Sequence, residues 1–222
     1  MTQPATARAA IFDLDGVLTD TADLHYQSWK ILADELGVPF DRQRNEALRG
    51  VSRMRSCDLM LGEHADRFSD EDKARIADRK NTEYIRLVGQ MTPADLFPGA
   101  RDLLQSLRAA GWVTALASAS KNGQIVVDQL KIRGLLDVVV DGHDAPLSKP
   151  DPQVFLVAAE QAGARPEHCV VVEDAEAGVE AGLAAKMHVI GIGPAERVGR
   201  ADYIVAGVHA LSVHDFARLV GA

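Results

Sequence analysis

Cysteine is scarce in this chain of 222 residues, which carries only Cys57 and Cys169. They lie far apart, make no C-x-x-C pair and supply no disulfide framework. Two reduced thiols in a cytoplasmic protein are the expectation. Basic charge is in deficit as well. Lys and Arg number 24 against 32 Asp and Glu, a formal net charge of -8. Electrostatic binding to nucleic acid or to a membrane needs a concentrated basic face, so neither partner is expected. No apolar run approaches the length of a membrane-spanning helix. The opening MTQPATARAA is a polar tail without the apolar region of a signal peptide. Internal repeats and low-complexity tracts are also missing.

What remains is ordinary soluble composition, 47% hydrophobic and 25% charged. The length suits one large domain, or a core with a modest insertion. An acidic protein that handles anionic substrates must focus positive charge locally, through a few placed cations or a metal.

Short apolar runs ending in polar residues recur along the chain: AAIFD (residues 9–13), VTALAS (113–118), VVVD (138–141), CVVVED (169–174) and HVIGIG (188–193). Such runs read as strands buried on both faces, the mark of a parallel sheet. Helical patterns lie between them over 99–110, 122–131, 152–162 and 175–184, and a strand at 203–205 and a helix from Leu211 close the chain. The alternation predicts a doubly wound α/β fold.

One stretch breaks the rhythm. The first and second strands are separated by roughly ninety residues, far more than one crossover helix needs. The pattern there is helical. A helix starts near Thr21 and stops at Gly37 and Pro39, and another opens on Ser69-Asp70-Glu71-Asp72. Residues 19–92 are therefore expected to form an inserted α-helical cap, with 1–18 and 93–222 as the α/β core.

Chemistry concentrates at the strand ends, where α/β folds place their sites. Asp13 and Asp15 flank Leu14, so strand geometry puts two carboxylates on one side. They repel unless a cation or a shared proton relieves them. Magnesium, a hard ion that takes oxygen ligands, is the natural cation. Glu173-Asp174 ends another strand and can complete the metal site. Ser118 and Lys149 follow two further strands and offer the hydroxyl and ammonium that a phosphoryl group requires. A carboxylate attacking phosphorus forms an aspartyl phosphate. Each piece alone is commonplace, since D-x-D is frequent and a lone Lys-Pro is a turn. Four in order at successive strand ends point to magnesium-dependent phosphoryl transfer with Asp13 as nucleophile.

FDLDGVLTDT, ASAS, SKPDP and VVEDAEAG together resemble the four-motif signature of the haloacid dehalogenase (HAD) superfamily, over essentially the whole chain. The resemblance implies that Asp13 is nucleophile and magnesium ligand. Asp15 would be the general acid/base, with its backbone carbonyl on the metal. Ser118 and Lys149 would hold phosphate, Asp174 would bind the metal, and Glu173 would do so directly or through water. Further residues are similar to the sugar phosphomutases of that superfamily: Thr21, His25 and Trp29 on the first cap helix, LRGVSR (48–53), Arg79-Lys80-Asn81 and SASKN (118–122). That likeness implies interconversion of β-D-glucose 1-phosphate and 6-phosphate through bound β-glucose 1,6-bisphosphate, with a small phosphorylated sugar as partner. Arg49, Gly50 and Val51 would approach the sugar; those relatives usually carry Lys at position 49. Arg53 would clamp the distal phosphate, with Ala119, Ser120, Lys121 and Asn122. Thr21 would sit at a hinge, with His25, Trp29 and Lys80 lining the cap.

Bland readings stand beside these. Trp29 suits a cap core, Lys80 a solvated helix face, and Lys121-Asn122 a helix start. A sugar-phosphate phosphatase on the same fold and a non-catalytic binding protein are the rival functions. The second of these would predict loss of Asp13, Asp15, Lys149 or Asp174, all of which are present. A cis peptide at Lys149–Pro150 is a further expectation, as is a monomer.

Overall fold

The computed structural model describes residues 7–48 and 52–221. The chain divides into two compact units, Met1–Asp20 with Thr92–Ala222, and Thr21–Met91.

The first unit is built on six parallel strands: β1 (Ala7–Phe12), β2 (Val113–Ala117), β3 (Val138–Val140), β4 (Ala164–Glu173), β5 (His188–Ile192) and β6 (Tyr203–Val205). Their order across the sheet is β3-β2-β1-β4-β5-β6. The central strands read as unbroken apolar runs because both faces are covered. One face buries Ile11, Ala115, Val171, Phe155 and Val179 in a single cluster. On an aromatic patch, Phe216 packs against Phe12 and Trp112 with ring centroids 5.9 and 5.8 Å apart. The chain leaves β1 toward β2 on one side and β4 on the other. That reversal opens a crevice at the carboxyl ends of β1 and β4, where ligands settle in such sheets.

Strand β4 starts five residues before the expected CVVVED run. Ala7 pairs with Ala164 but Ala9 pairs with Cys169, so an irregularity absorbs the polar residues between. Thr19 stays with the sheet unit rather than the insertion. It bridges to Asp15 and Leu96, and its hydroxyl donates to the Asp95 carbonyl at 2.7 Å. Helices α5 (Ala100–Ala109), α6 (Gly123–Gln129), α7 (Gln153–Gln161), α8 (Glu176–Ala184), α9 (Ala195–Val198) and α10 (Val213–Leu219) complete this unit, numbered after the four helices of the insertion that precede them in the chain.

The second unit is helical among its described residues: α1 (Ala22–Leu36), α2 (Arg42–Glu46), α3 (Arg53–Leu61) and α4 (Asp70–Val88). Ser69 and Asp72 cap α4 reciprocally. The Ser69 hydroxyl accepts from the Asp72 N–H at 3.2 Å and the Asp72 carboxylate accepts from the Ser69 N–H at 3.0 Å. Its own core gathers Trp29, Ala33, Val38, Phe40, Cys57, Met60, Leu61 and Ile76.

Candidate active site

Asp13 directly follows β1 and Glu173 ends the adjacent β4, so neighbouring parallel strands deliver two carboxylates to one crevice. The ammonium of Lys149 lies between them. It donates to Asp13 Oδ1 at 2.6 Å and to Glu173 Oε1 at 2.5 Å. It also reaches the Ala117 carbonyl at the end of β2, at 3.4 Å, and lies 4.8 Å from the Phe155 ring centroid. One cation thus ties three strand ends together. Burial works against the charged ammonium, but the Asp13 and Glu173 carboxylates outweigh it and hold Lys149 above its ordinary range. Glu173 is pushed up, to about 7, by burial first and by Asp13, with Lys149 pulling it back. A divalent cation on these oxygens would favour the ionised form.

Asp174 joins the pair. Among the described residues, Asp13, Glu173 and Asp174 can each offer one carboxylate oxygen, all within 4.8 Å of one another. Three hard oxygen donors in that space suit a magnesium ion. Backbone without side chains makes the room. A β-carbon on Gly16 would lie 2.3 Å from Asp174 Oδ2, and Gly16 has φ +83°. A β-carbon on Gly178, in α8, would lie 2.0 Å from the Glu173 carboxyl carbon. The Asp15 carboxylate is not part of this trio. Asp15 sits in the tight turn after β1, where Gly16 N–H donates to the Thr19 carbonyl at 2.7 Å. Arg197 comes within 3.6 Å of Asp174 Oδ2. Nothing in the sequence marks Arg197, because helix α9 approaches Asp174 only through the fold.

Ser118 follows β2. Its N–H donates to the Val140 carbonyl at 3.0 Å, and its hydroxyl accepts from the Ser120 N–H at 3.2 Å. The Ser120 hydroxyl in turn accepts from the Asn122 N–H at 3.2 Å. The Ser118–Asn122 turn is thereby fixed beside the Lys149 contact at Ala117. Asn122 is buried and Lys121 is exposed. The Lys149–Pro150 peptide bond is cis.

In the helical unit a second group forms. Thr21 and His25 are one turn apart at the start of α1, and Lys80 and Tyr84 one turn apart on α4. Lys80 Nζ lies 2.7 Å from His25 Nδ1. The Tyr84 ring stacks on His25, with centroids 4.1 Å apart, and its hydroxyl donates to Thr21 Oγ1 at 3.3 Å. Burial, then the charges of Lys80 and Arg53, hold His25 well below its ordinary pKa. Lys80 is no solvated helix residue: it is buried, with its ammonium 5.3 Å from the Trp29 ring centroid and 4.7 Å from that of Tyr84. Trp29 belongs to the hydrophobic core of this unit, so its bulk serves packing while one ring face meets a cation. Arg53, at the start of α3, donates through Nη2 to Asn81 Oδ1 at 2.8 Å. Arg49, Gly50 and Val51 lie outside the described residues. Tyr84 carries no mark in the sequence, because its contacts with His25 and Thr21 come from a helix distant in the chain.

A model of the haloacid dehalogenase-like hydrolases matches residues 7–186. The chain belongs to that family. Within it the chain is 38% identical over 200 residues to a β-phosphoglucomutase of Bacillus subtilis, covering 89% of this chain and 88% of that protein. The crystal structure of a β-phosphoglucomutase from Clostridium difficile is similar over 97% of both chains, with a TM-score of 0.90 and 36% identity. A hexitol phosphatase B of Escherichia coli is 29% identical over 215 residues, 96% of each chain. The protein is therefore an enzyme of the HAD superfamily, similar to phosphomutases, with sugar phosphatases among its relatives. Among the described residues no helix is long and apolar enough to cross a membrane.

Proposed function

We propose that the chain is a magnesium-dependent phosphomutase. It interconverts β-D-glucose 1-phosphate and β-D-glucose 6-phosphate through an aspartyl phosphate on Asp13 and β-glucose 1,6-bisphosphate. The observation that carries this reading is the Lys149 ammonium held between Asp13 and Glu173, with Asp174 in reach, in a chain 38% identical to a β-phosphoglucomutase.

The carboxylates of Asp13, Glu173 and Asp174, with the backbone carbonyl of Asp15, would hold the magnesium ion. When bound, it supplies Lewis-acid stabilisation of charge on the phosphoryl oxygens. The remaining steps fall to side chains. In one half-reaction Asp15 takes the proton from the 6-hydroxyl of glucose 1-phosphate. That oxygen attacks phosphorus on phospho-Asp13, and the Asp13 carboxylate leaves. In the other, Asp13 attacks the 1-phosphate of the bisphosphate, and Asp15 protonates the departing sugar oxygen. Lys149 and Ser118 hold the phosphoryl group in transit, with Ala119 and Ser120 shaping the turn behind it. Arg53 grips the distal phosphate through its planar fork, with Lys121 and Asn122. Arg49, Gly50 and Val51 contact the sugar. Thr21, His25, Trp29 and Lys80 belong to a cap, residues 21–91, that excludes water from the labile acyl phosphate. Because the protein recycles its bisphosphate, that compound acts as activator. Monomeric action in the cytoplasm completes the proposal.

Incubation with glucose 1,6-bisphosphate labelled with ³²P tests the covalent step. Label should appear on the protein, be released by hydroxylamine as an acyl phosphate is, and be absent from Asp13→Asn. Label that persists in Asp13→Asn would refute Asp13 as nucleophile. The second reading, a sugar-phosphate phosphatase, is favoured by the 29% identity to hexitol phosphatase B. It uses the same Asp13 and Asp15 but gives the phosphoryl group to water.

A further inference from the structure

We propose that Tyr84 is a positioning residue for the sugar reaction: its ring fixes His25 as the Nε2–H tautomer and holds the Lys80 ammonium against His25 Nδ1. The inference rests on the reading of the cap as part of the phosphomutase.

The geometry comes from two helical spacings. Thr21 and His25 are four residues apart at the head of α1, and His25 N–H donates to the Thr21 carbonyl at 2.9 Å. Lys80 and Tyr84 are four apart on α4, so they share a face. Where the two helices meet, these pairs interlock. An ammonium donates and cannot accept. At 2.7 Å from Lys80 Nζ, His25 Nδ1 must therefore be the acceptor, which leaves the proton on Nε2. A second positive charge at that distance would be repelled. Burial and the charges of Lys80 and Arg53 accordingly keep the imidazole neutral.

Three contacts then converge on one residue. The Tyr84 ring lies against the imidazole, with an interplanar angle of 23° and centroids 4.1 Å apart, which fixes the plane of His25. The same ring stands 4.7 Å from the Lys80 ammonium, and the Trp29 ring lies 5.3 Å from it. Two π faces thus favour a buried cation that water solvates poorly. The Tyr84 hydroxyl donates to Thr21 Oγ1 at 3.3 Å, which ties the ring to the residue one turn before His25. Tyr84 is 1% exposed, so its ring cannot swing away into solvent. A leucine would fill much of the volume. It would offer no face to the cation, no stack to the imidazole and no hydroxyl.

The test uses the full chain with ¹⁵N-labelled histidine. Long-range ¹H–¹⁵N spectra of the wild type should show His25 as a single Nε2–H tautomer; a protonated Nδ1 there would overturn the proposal outright. In Tyr84→Leu the tautomers should mix. The kcat for the sugar phosphate should fall about tenfold with KM little changed, while hydrolysis of a small aryl phosphate stays as in the wild type. Tyr84→Phe keeps the ring and should keep the tautomer. Tyr84→Leu with an unchanged tautomer overturns the proposal, whether kcat is intact or falls, because a fall alone means packing and not positioning. His25→Ala separates this from the underlying reading. Wild-type sugar turnover in that variant would remove the cap pair from the reaction, while the tautomer comparison would still decide what Tyr84 does to His25.

Discussion

Gly178 backs directly onto Glu173: a β-carbon at position 178 would lie 2.0 Å from the Glu173 carboxyl carbon. This glycine in the first turn of α8 is thus part of the site, since it lets a buried carboxylate turn toward Lys149 at 2.5 Å. Gly178→Ala must push Glu173 aside or bend α8. Overpacking of this kind costs about 1–3 kcal/mol, which a urea midpoint reads. The variant should also bind magnesium more weakly by calorimetry. Unchanged stability and magnesium affinity would mean that Glu173 can move freely.

The nucleophile and the acid/base separate by magnitude. Asp13→Asn should abolish turnover of any phosphate ester. Asp15→Asn should slow it by roughly 10²–10⁴, the usual range for a lost general acid/base. Initial rates on glucose 1-phosphate and on an aryl phosphate measure both.

Arg53 donates to Asn81 at 2.8 Å and stands at the first turn of α3. If it clamps the distal phosphate, Arg53→Ala should cost the sugar reaction about ten- to a hundredfold or more in kcat/KM, as loss of a charge-assisted bidentate contact does. Hydrolysis of an aryl phosphate, which has no second phosphate, should be nearly unaffected. Equal losses on the two substrates would argue against the clamp.

His25 gives the pH prediction. Its folded pKa lies well below the ordinary 6.5, from burial first and then Lys80 and Arg53. Above pH 6.5 both folded and unfolded chains carry a neutral imidazole, so it adds no slope. As pH falls below 6.5 the unfolded chain takes up a proton that the folded chain refuses, and stability declines. Urea midpoints between pH 7.5 and pH 5 should therefore drop more steeply in the wild type than in His25→Gln. Parallel profiles would mean that the buried imidazole charges freely.

Much of this was legible in the sequence because strand ends in parallel sheets announce themselves. Apolar runs that stop at Asp13, Ser118 and Glu173-Asp174 gave both the strands and the polar residues at their ends. The helical stretch between β1 and β2 was legible as helical, but not in detail. Helix α2, RQRNE, buries no residue and is polar all round, so no periodicity reveals it; its Asp41 cap, which accepts from the Arg44 N–H at 2.8 Å, was the only local sign. The early start of β4 was hidden by the polar stretch Arg165–His168, which carries no strand pattern. Tyr84 and Arg197 were missed for another reason. Each gains its contacts from an element distant in sequence, and neither periodicity nor motif spacing encodes such a meeting. Trp29 and Lys80 were ambiguous as letters and became definite once α1 and α4 crossed.

The most direct test of the central claim follows both products of one reaction. The protein is given magnesium, β-glucose 1-phosphate and a trace of glucose 1,6-bisphosphate; glucose 6-phosphate is coupled to a dehydrogenase while free phosphate is counted. Rapid glucose 6-phosphate with little free phosphate is the result expected of a phosphomutase. Free phosphate matching the loss of substrate would contradict it and make the protein a phosphatase.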